Sequence, residues 1–185
     1  MLPNVVMWLA NSIVPPERVS SFLTSTMGDF RLGPHEAIYA AFMLAYMPFG
    51  VRLIYASALL PEFSKLKTFL NIRMAVADVR KSDWVIAACE GAFENFQETG
   101  PFFLAAVLAC LQAGVEDGII ADFATLWIFL RLAFFVVYFA MMAKNSPAIG
   151  LLRTPLWLTS VALIANMMLL AGAAHAAPPI KKGFF

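Results

Sequence analysis

Four stretches of this chain, at about residues 36–60, 84–113, 118–143 and 154–174, stay apolar long enough to cross the ~30 Å hydrocarbon core of a bilayer, which takes roughly 20 helical residues. No other feature constrains the fold as tightly. In lipid every backbone N–H and C=O must find its partner inside the protein, and segments of this length do so as α-helices. Composition agrees: 61% of the residues are hydrophobic and 14% charged, with a mean hydropathy of +0.76, whereas soluble domains carry about 25% charged residues. The predicted fold class is an all-α integral membrane protein, a four-transmembrane-helix bundle spanning 35–175, preceded by an interfacial segment at 1–34 and followed by a tail at 176–185.

The same composition removes several function classes. A net charge of +1 with interspersed signs provides no basic field for nucleic acid. Cys89 and Cys110 fall on one predicted helix, roughly 30 Å apart, and cannot bond each other. Together with His35 and His175 they form no cluster with metal-ligand spacing, so neither a metal nor a haem is expected. The N-terminal apolar run lacks the leading positive charge and small-residue cleavage site of a signal peptide. Pro15 and Pro16 are expected to end any helix there, leaving Trp8 at headgroup level.

Charge between the helices orients the chain. The 61–83 connection carries Lys65, Lys67, Arg73, Arg80 and Lys81, whereas the turn Gly114-Val-Glu-Asp-Gly118 carries only acids. The positive-inside rule then puts the 61–83 and 144–153 connections on the cytoplasmic or equivalent side. Phe63, Leu66, Leu70, Met74 and Ala77 recur at helical spacing, the pattern of an amphipathic surface helix. Pro48, Gly50 and Arg52 predict a kink or fraying late in the first span, and Thr154-Pro155 reads as the capped start of the fourth. Nothing in the sequence separates an endomembrane from an organelle inner membrane.

Inside lipid the polar residues are the informative ones, because a charge at the bilayer centre costs about 2.5–3.5 kcal/mol on insertion scales. Glu90, Glu94 and Glu98 lie four apart on the second helix with Asn95 beside them, a stripe that must face protein. Arg52 in the first helix and Arg131 in the third are the available counter-charges. Depth along the helices pairs Arg131 with Glu98, and Arg52 with Glu90 or Glu94. Such pairs either staple the helices in register or line a polar cavity. Asp122 reads as an interfacial acid at a helix start, and Asn166 as an interhelical hydrogen-bonding group.

The run Ala92-Phe-Glu-Asn95-Phe-Gln-Glu98-Thr-Gly-Pro101 resembles the second-helix signature of the MAPEG family, the membrane-associated proteins of eicosanoid and glutathione metabolism. Arg131, Phe134 and Tyr138 resemble that family's Arg, aromatic, Tyr pattern, and Val51-Arg52-Leu53 and Leu152-Arg153-Thr154 extend the likeness, which covers about 36–174. The resemblance implies a homotrimer of four-helix subunits, with glutathione bound near the basic connection and a lipid substrate alongside. It implies that Arg52, Asn95, Glu98, Arg131 and Tyr138 form the glutathione site, with Arg131 and Tyr138 activating the thiol. Arginine suits the task because its planar fork grips carboxylates, and a thiolate forms more readily beside positive charge.

Three positions depart from the pattern. Gly91 stands where the signature has arginine, Glu94 where some members are basic, and Phe134 where a polar aromatic is usual; Glu90 adds a further acid. Glutathione is a net anion, so this cavity repels what the family's site attracts. The favoured expectation is a divergent, non-catalytic MAPEG-like protein that binds membrane lipid or serves as an accessory subunit of a larger membrane complex. The alternative is a glutathione-dependent transferase or peroxidase acting on lipophilic substrates.

Overall fold

A computed structural model of the chain describes residues 15–59, 83–144 and 146–176. Within them lie five helices: α1 (Pro16–Met27), α2 (Pro34–Leu59), α3 (Trp84–Ala113), α4 (Asp117–Lys144) and α5 (Pro147–Ala176), with no strand among the described residues. Three segments, Pro34–Tyr55, Asp117–Lys144 and Leu151–Ala176, are both long and apolar enough to cross a membrane. The remaining long helix, α3, has 30 residues, about 45 Å at 1.5 Å per residue, but its three glutamates dilute the apolar character of its first half. Trp8, the amphipathic pattern at 63–77, most of the basic 61–83 connection and the 177–185 tail lie outside the described residues.

Helix ends follow from local chemistry. The α3 start is capped by Asp83, whose Oδ1 accepts the amides of Val85 (2.8 Å) and Ile86 (3.2 Å). Its end is a Schellman motif. Gly114 turns left-handed at φ 71°, its amide donates to the Leu111 carbonyl, and the Val115 amide donates to that of Cys110. Glu116 then supplies the carbonyl that opens α4, accepting from Ile119 and Ile120.

Pro16 begins α1, because the first helical position needs no amide donor and proline's fixed φ suits it; the helix that Pro15 and Pro16 are expected to end would fall at 1–14, outside the described residues. One expectation about proline is corrected: α5 starts at Pro147 and continues through Pro155, so Thr154-Pro155 is not its start. Lipid-embedded helices tolerate an interior proline where surrounding groups re-satisfy the freed carbonyl. Residues 147–153 of the expected 144–153 connection are therefore helical, Arg153 among them. α2 also passes through Pro48 and runs on to Leu59.

The described chain divides into two compact units, each containing segments of the four long helices. The first comprises 15–38, 102–128 and 160–176. Its core holds Phe103 stacked on Trp127 with centroids 3.9 Å apart, and Cys110, whose Sγ donates to the Met167 carbonyl at 3.2 Å. Fully buried Leu163 and Asn166 belong to it too. Arg31 ties the 28–33 turn in place, pairing with Asp122 and donating to the carbonyls of Gly28 (2.9 Å) and Phe30 (2.8 Å) and to Thr24 Oγ1 (3.0 Å). The Leu32 amide donates to Thr125 Oγ1 at 2.9 Å. The second unit comprises 39–59, 83–101, 129–144 and 146–159 and carries the polar residues singled out above.

Candidate functional site

All seven sequence-selected site residues, Arg52, Glu90, Glu94, Asn95, Glu98, Arg131 and Tyr138, fall in the second unit. They form two neighbourhoods. In the first, Arg52 Nη1 lies 3.1 Å from Glu90 Oε1, with both side chains mostly buried, and the guanidinium sits 5.0 Å from the Phe49 ring centroid. This pair borders a cavity of about 570 Å³ that Tyr46, Phe93 and Glu94 also line. Nearby, Tyr55 donates from its hydroxyl to Asp83 Oδ2 at 2.9 Å, so the residue that caps α3 also fixes α2 against it.

The second neighbourhood centres on Arg131, which is only 4% exposed. Its Nη2 donates to the Asn95 main-chain carbonyl at 2.7 Å, and its guanidinium faces the rings of Phe134 (5.1 Å) and Phe96 (5.8 Å). The expected Arg131–Glu98 pair thus takes another form. The fork reaches the backbone of α3 one turn before Glu98, and a carbonyl together with two ring faces receives it. Glu98 is exposed and instead lines a cavity of about 290 Å³ with Asn95, Phe134, Arg153, Thr154 and Trp157. Phe134, which lacks the hydrogen-bonding group usual at its position, offers a cation–π face in return.

Gly91 explains the placement of Tyr138. A Cβ built on Gly91 would lie 2.0 Å from Tyr138 Oη and 2.7 Å from its Cζ, so the phenol occupies the space that any side chain at 91 would need. Asn95 Nδ2 donates back to the Gly91 carbonyl at 2.7 Å, holding the same turn. Arg153 covers the Tyr138 ring, its guanidinium carbon 5.7 Å from the centroid. Arg153 is the residue that reasoning from sequence left without a role. Its signal was present in Leu152-Arg153-Thr154, but placing the helix start at 154 put it in a connection rather than on a wall of the cavity.

Chemically, Arg52, Arg131 and Arg153 are engaged by carboxylate, carbonyl or aromatic groups, beside acids at 90, 94 and 98. The first unit has an acidic hollow of about 550 Å³ lined by Glu17, Asp29, Glu116 and the Arg31–Asp122 pair. Among the described residues, no three His, Cys, Asp or Glu side chains are grouped to hold a metal ion.

Residues 37–173 match the family model for the MAPEG family. Among curated proteins and among solved structures, none matches this chain. The matched span covers most of the chain, including α3 with its Asn95-x-x-Glu98 core and α4 with Arg131 and Tyr138, and with its long apolar helices the protein is an integral, multi-pass membrane protein. The chain belongs to the MAPEG family.

Proposed function

We propose that this MAPEG protein does not use glutathione and works by binding membrane lipid, as a homotrimer or as an accessory subunit of a larger membrane complex. The observation that carries this reading is the occupation of the Gly91 side-chain space by the Tyr138 hydroxyl. The family signature has an arginine at this position, and here neither the side chain nor room for it remains. The neighbouring Arg52 is engaged by Glu90, and Arg131 is turned to the Asn95 carbonyl. An incoming glutathione carboxylate would have to displace one of these partners or meet Glu94 and Glu98. Leaving the displaced group unpaired in a buried site costs about 1–3 kcal/mol or more.

The test is calorimetric titration of glutathione into detergent-purified protein, with Arg131→Ala and the milder Tyr138→Phe alongside. No heat of binding at millimolar glutathione is expected. Micromolar binding that is lost in Arg131→Ala would overturn the reading.

A glutathione-dependent transferase or peroxidase is the second reading, and the stacking of Arg153 over Tyr138 favours it. A phenol beneath a guanidinium can donate a hydrogen bond to a thiolate. Turnover of a lipophilic electrophile that depends on glutathione and falls at least 10-fold in Tyr138→Phe would establish that reading in place of the first.

A further inference from the structure

We propose that α1 and the turn after it lie in the plane of the membrane surface as a two-sided contact, with Phe22 and Phe30 laid on the acyl chains of the leaflet at the Gly114–Gly118 end and the opposite flank of α1 turned to water. This surface belongs to the first unit and takes no part in the site described above.

Level comes from α4. Its 28 residues measure about 42 Å at 1.5 Å each, about 12 Å more than the ~30 Å hydrocarbon core. Shared between the two ends, that excess leaves about four residues of each among the head groups, so Asp122 lies at the hydrocarbon boundary and Thr125 just inside it. Arg31 pairs with Asp122, and the Leu32 amide donates to Thr125 Oγ1, which brings the 28–33 turn to that boundary. The membrane-spanning stretch of α2 opens directly afterwards, at Pro34. The first turn of α1 stands nearer the surface, where Pro16 and Glu17 line a hollow together with Glu116 and Gly118.

The two flanks of α1 differ as the two sides of an interfacial helix should. At 3.6 residues per turn, Phe22 and Thr26 fall to one side of the buried Val19 and Leu23. Glu17, Ser20 and Thr24 fall to the other, toward the acidic hollow and Arg31. On the Phe22 side the hydroxyls are closed within the chain, because Ser25 Oγ and Thr26 Oγ1 each donate to the Phe22 carbonyl at 2.8 Å. Such back-bonding satisfies a helical hydroxyl without water. The irregular turn is closed too, with Arg31 donating to the Gly28 and Phe30 carbonyls, as backbone beside lipid requires. Phe22 and Phe30, both more than half exposed, give this side the aromatic area that acyl chains take out of water. Arg18, exposed one turn before Phe22, has a stem long enough to keep its charge among the head groups.

The test is spin-label accessibility in the whole 185-residue chain, reconstituted in phosphatidylcholine nanodiscs. Labels are attached through Phe22→Cys, Phe30→Cys, Glu17→Cys and Ser21→Cys, all at exposed positions, and Thr26→Cys probes the Phe22 side without removing a ring. The native Cys89 and Cys110 are buried, and the parent chain treated in parallel accounts for them. Collision with oxygen, which concentrates among acyl chains, is compared with collision with a water-soluble nickel chelate. The oxygen-to-nickel ratio is expected to be several-fold higher at 22, 26 and 30 than at 17 and 21.

Nickel reaching 22, 26 and 30 as readily as 17 and 21 would put the whole helix in water and overturn the proposal. Oxygen predominating at all five positions would sink α1 in lipid and overturn its two-sidedness. If neither reagent reached 22, 26 and 30, protein would cover them, either a second copy of this chain or another subunit, and the assignment to lipid would fall. Each outcome leaves the expectation for glutathione where calorimetry puts it.

Discussion

Gly91→Ala is the sharpest perturbation of the site, because two opposed effects can be sized. In a helix interior, alanine in place of glycine stabilises by about 1 kcal/mol through backbone entropy. Here the new methyl carbon would sit 2.0 Å from Tyr138 Oη, 2.7 Å from Cζ and 3.1 Å from Cε1. The hydroxyl oxygen and two ring carbons are too close, so the phenol must leave its place and give up its position under Arg153. Overpacking of this kind costs typically 1–3 kcal/mol, making the net change between neutral and about 2 kcal/mol destabilising. For a chain of this size each kcal/mol moves the melting temperature by about 2–4 °C. Thermal unfolding in detergent, followed by circular dichroism, should therefore show a melting temperature unchanged or lowered by up to about 8 °C. The decisive comparison is made in a Tyr138→Leu background, where the clashing atoms are gone. There Gly91→Ala should raise the melting temperature by about 2–4 °C, the sign reversal reporting a coupling of about 1–3 kcal/mol. An equal rise in both backgrounds would refute the claim that Tyr138 fills the space beside Gly91, and with it the main support for a closed glutathione site.

Two further predictions concern the first unit. Arg31→Ala removes the connections to Asp122, Thr24 and the Gly28 and Phe30 carbonyls. It should destabilise by about 1.5–3 kcal/mol and expose the 28–33 turn to limited proteolysis. Arg31→Lys should recover only part of that, since a point charge cannot reproduce the fork; full recovery would mean that charge alone is needed. Gly114→Ala places a Cβ in a left-handed turn with φ 71° and should cost about 1–2 kcal/mol, with Gly114→Asn costing less. An unchanged melting temperature in Gly114→Ala would show that the α3–α4 turn readily adopts another conformation.

How much of this was legible in the sequence depended on whether the deciding chemistry was local. The ends of α3 and the start of α4 could be read because Asp83, Gly114 and Glu116 act within a few residues of themselves. The start of α5 was misplaced because proline both opens helices and interrupts them, and only the surrounding packing decides which: Pro147 opens the helix and Pro155 lies inside it. That error then hid Arg153. Arg52 could be brought to the level of Glu90 and Glu94 from depth alone, since each sits on a long helix at a comparable distance from the same connection; the choice of Glu90 came from the structure. The partner of Arg131 could not, because a carbonyl at Asn95 and a carboxylate at Glu98 are one helical turn apart and helical spacing does not rank them. Arg31 was invisible for a different reason. Its partner Asp122 is 91 residues away, and neither residue belongs to a periodic pattern.

The departures from the family signature are easier to understand together than singly. Removing the arginine at 91 alone would open a void on α3, and the Tyr138 phenol fills it. Arg52 alone in a lipid-embedded wall would be a costly unpaired charge, and Glu90 and the Phe49 ring receive it. A polar aromatic at 134 would compete for Arg131, whereas phenylalanine gives it a face and leaves the fork free to bind the Asn95 carbonyl. Each replacement thus satisfies a group that another exposes, the mutual consistency expected of a packed site rather than of one decaying piecemeal. A glutathione carboxylate entering there would have to compete with the partners that Arg52 and Arg131 already hold, which is why no binding of that anion is expected.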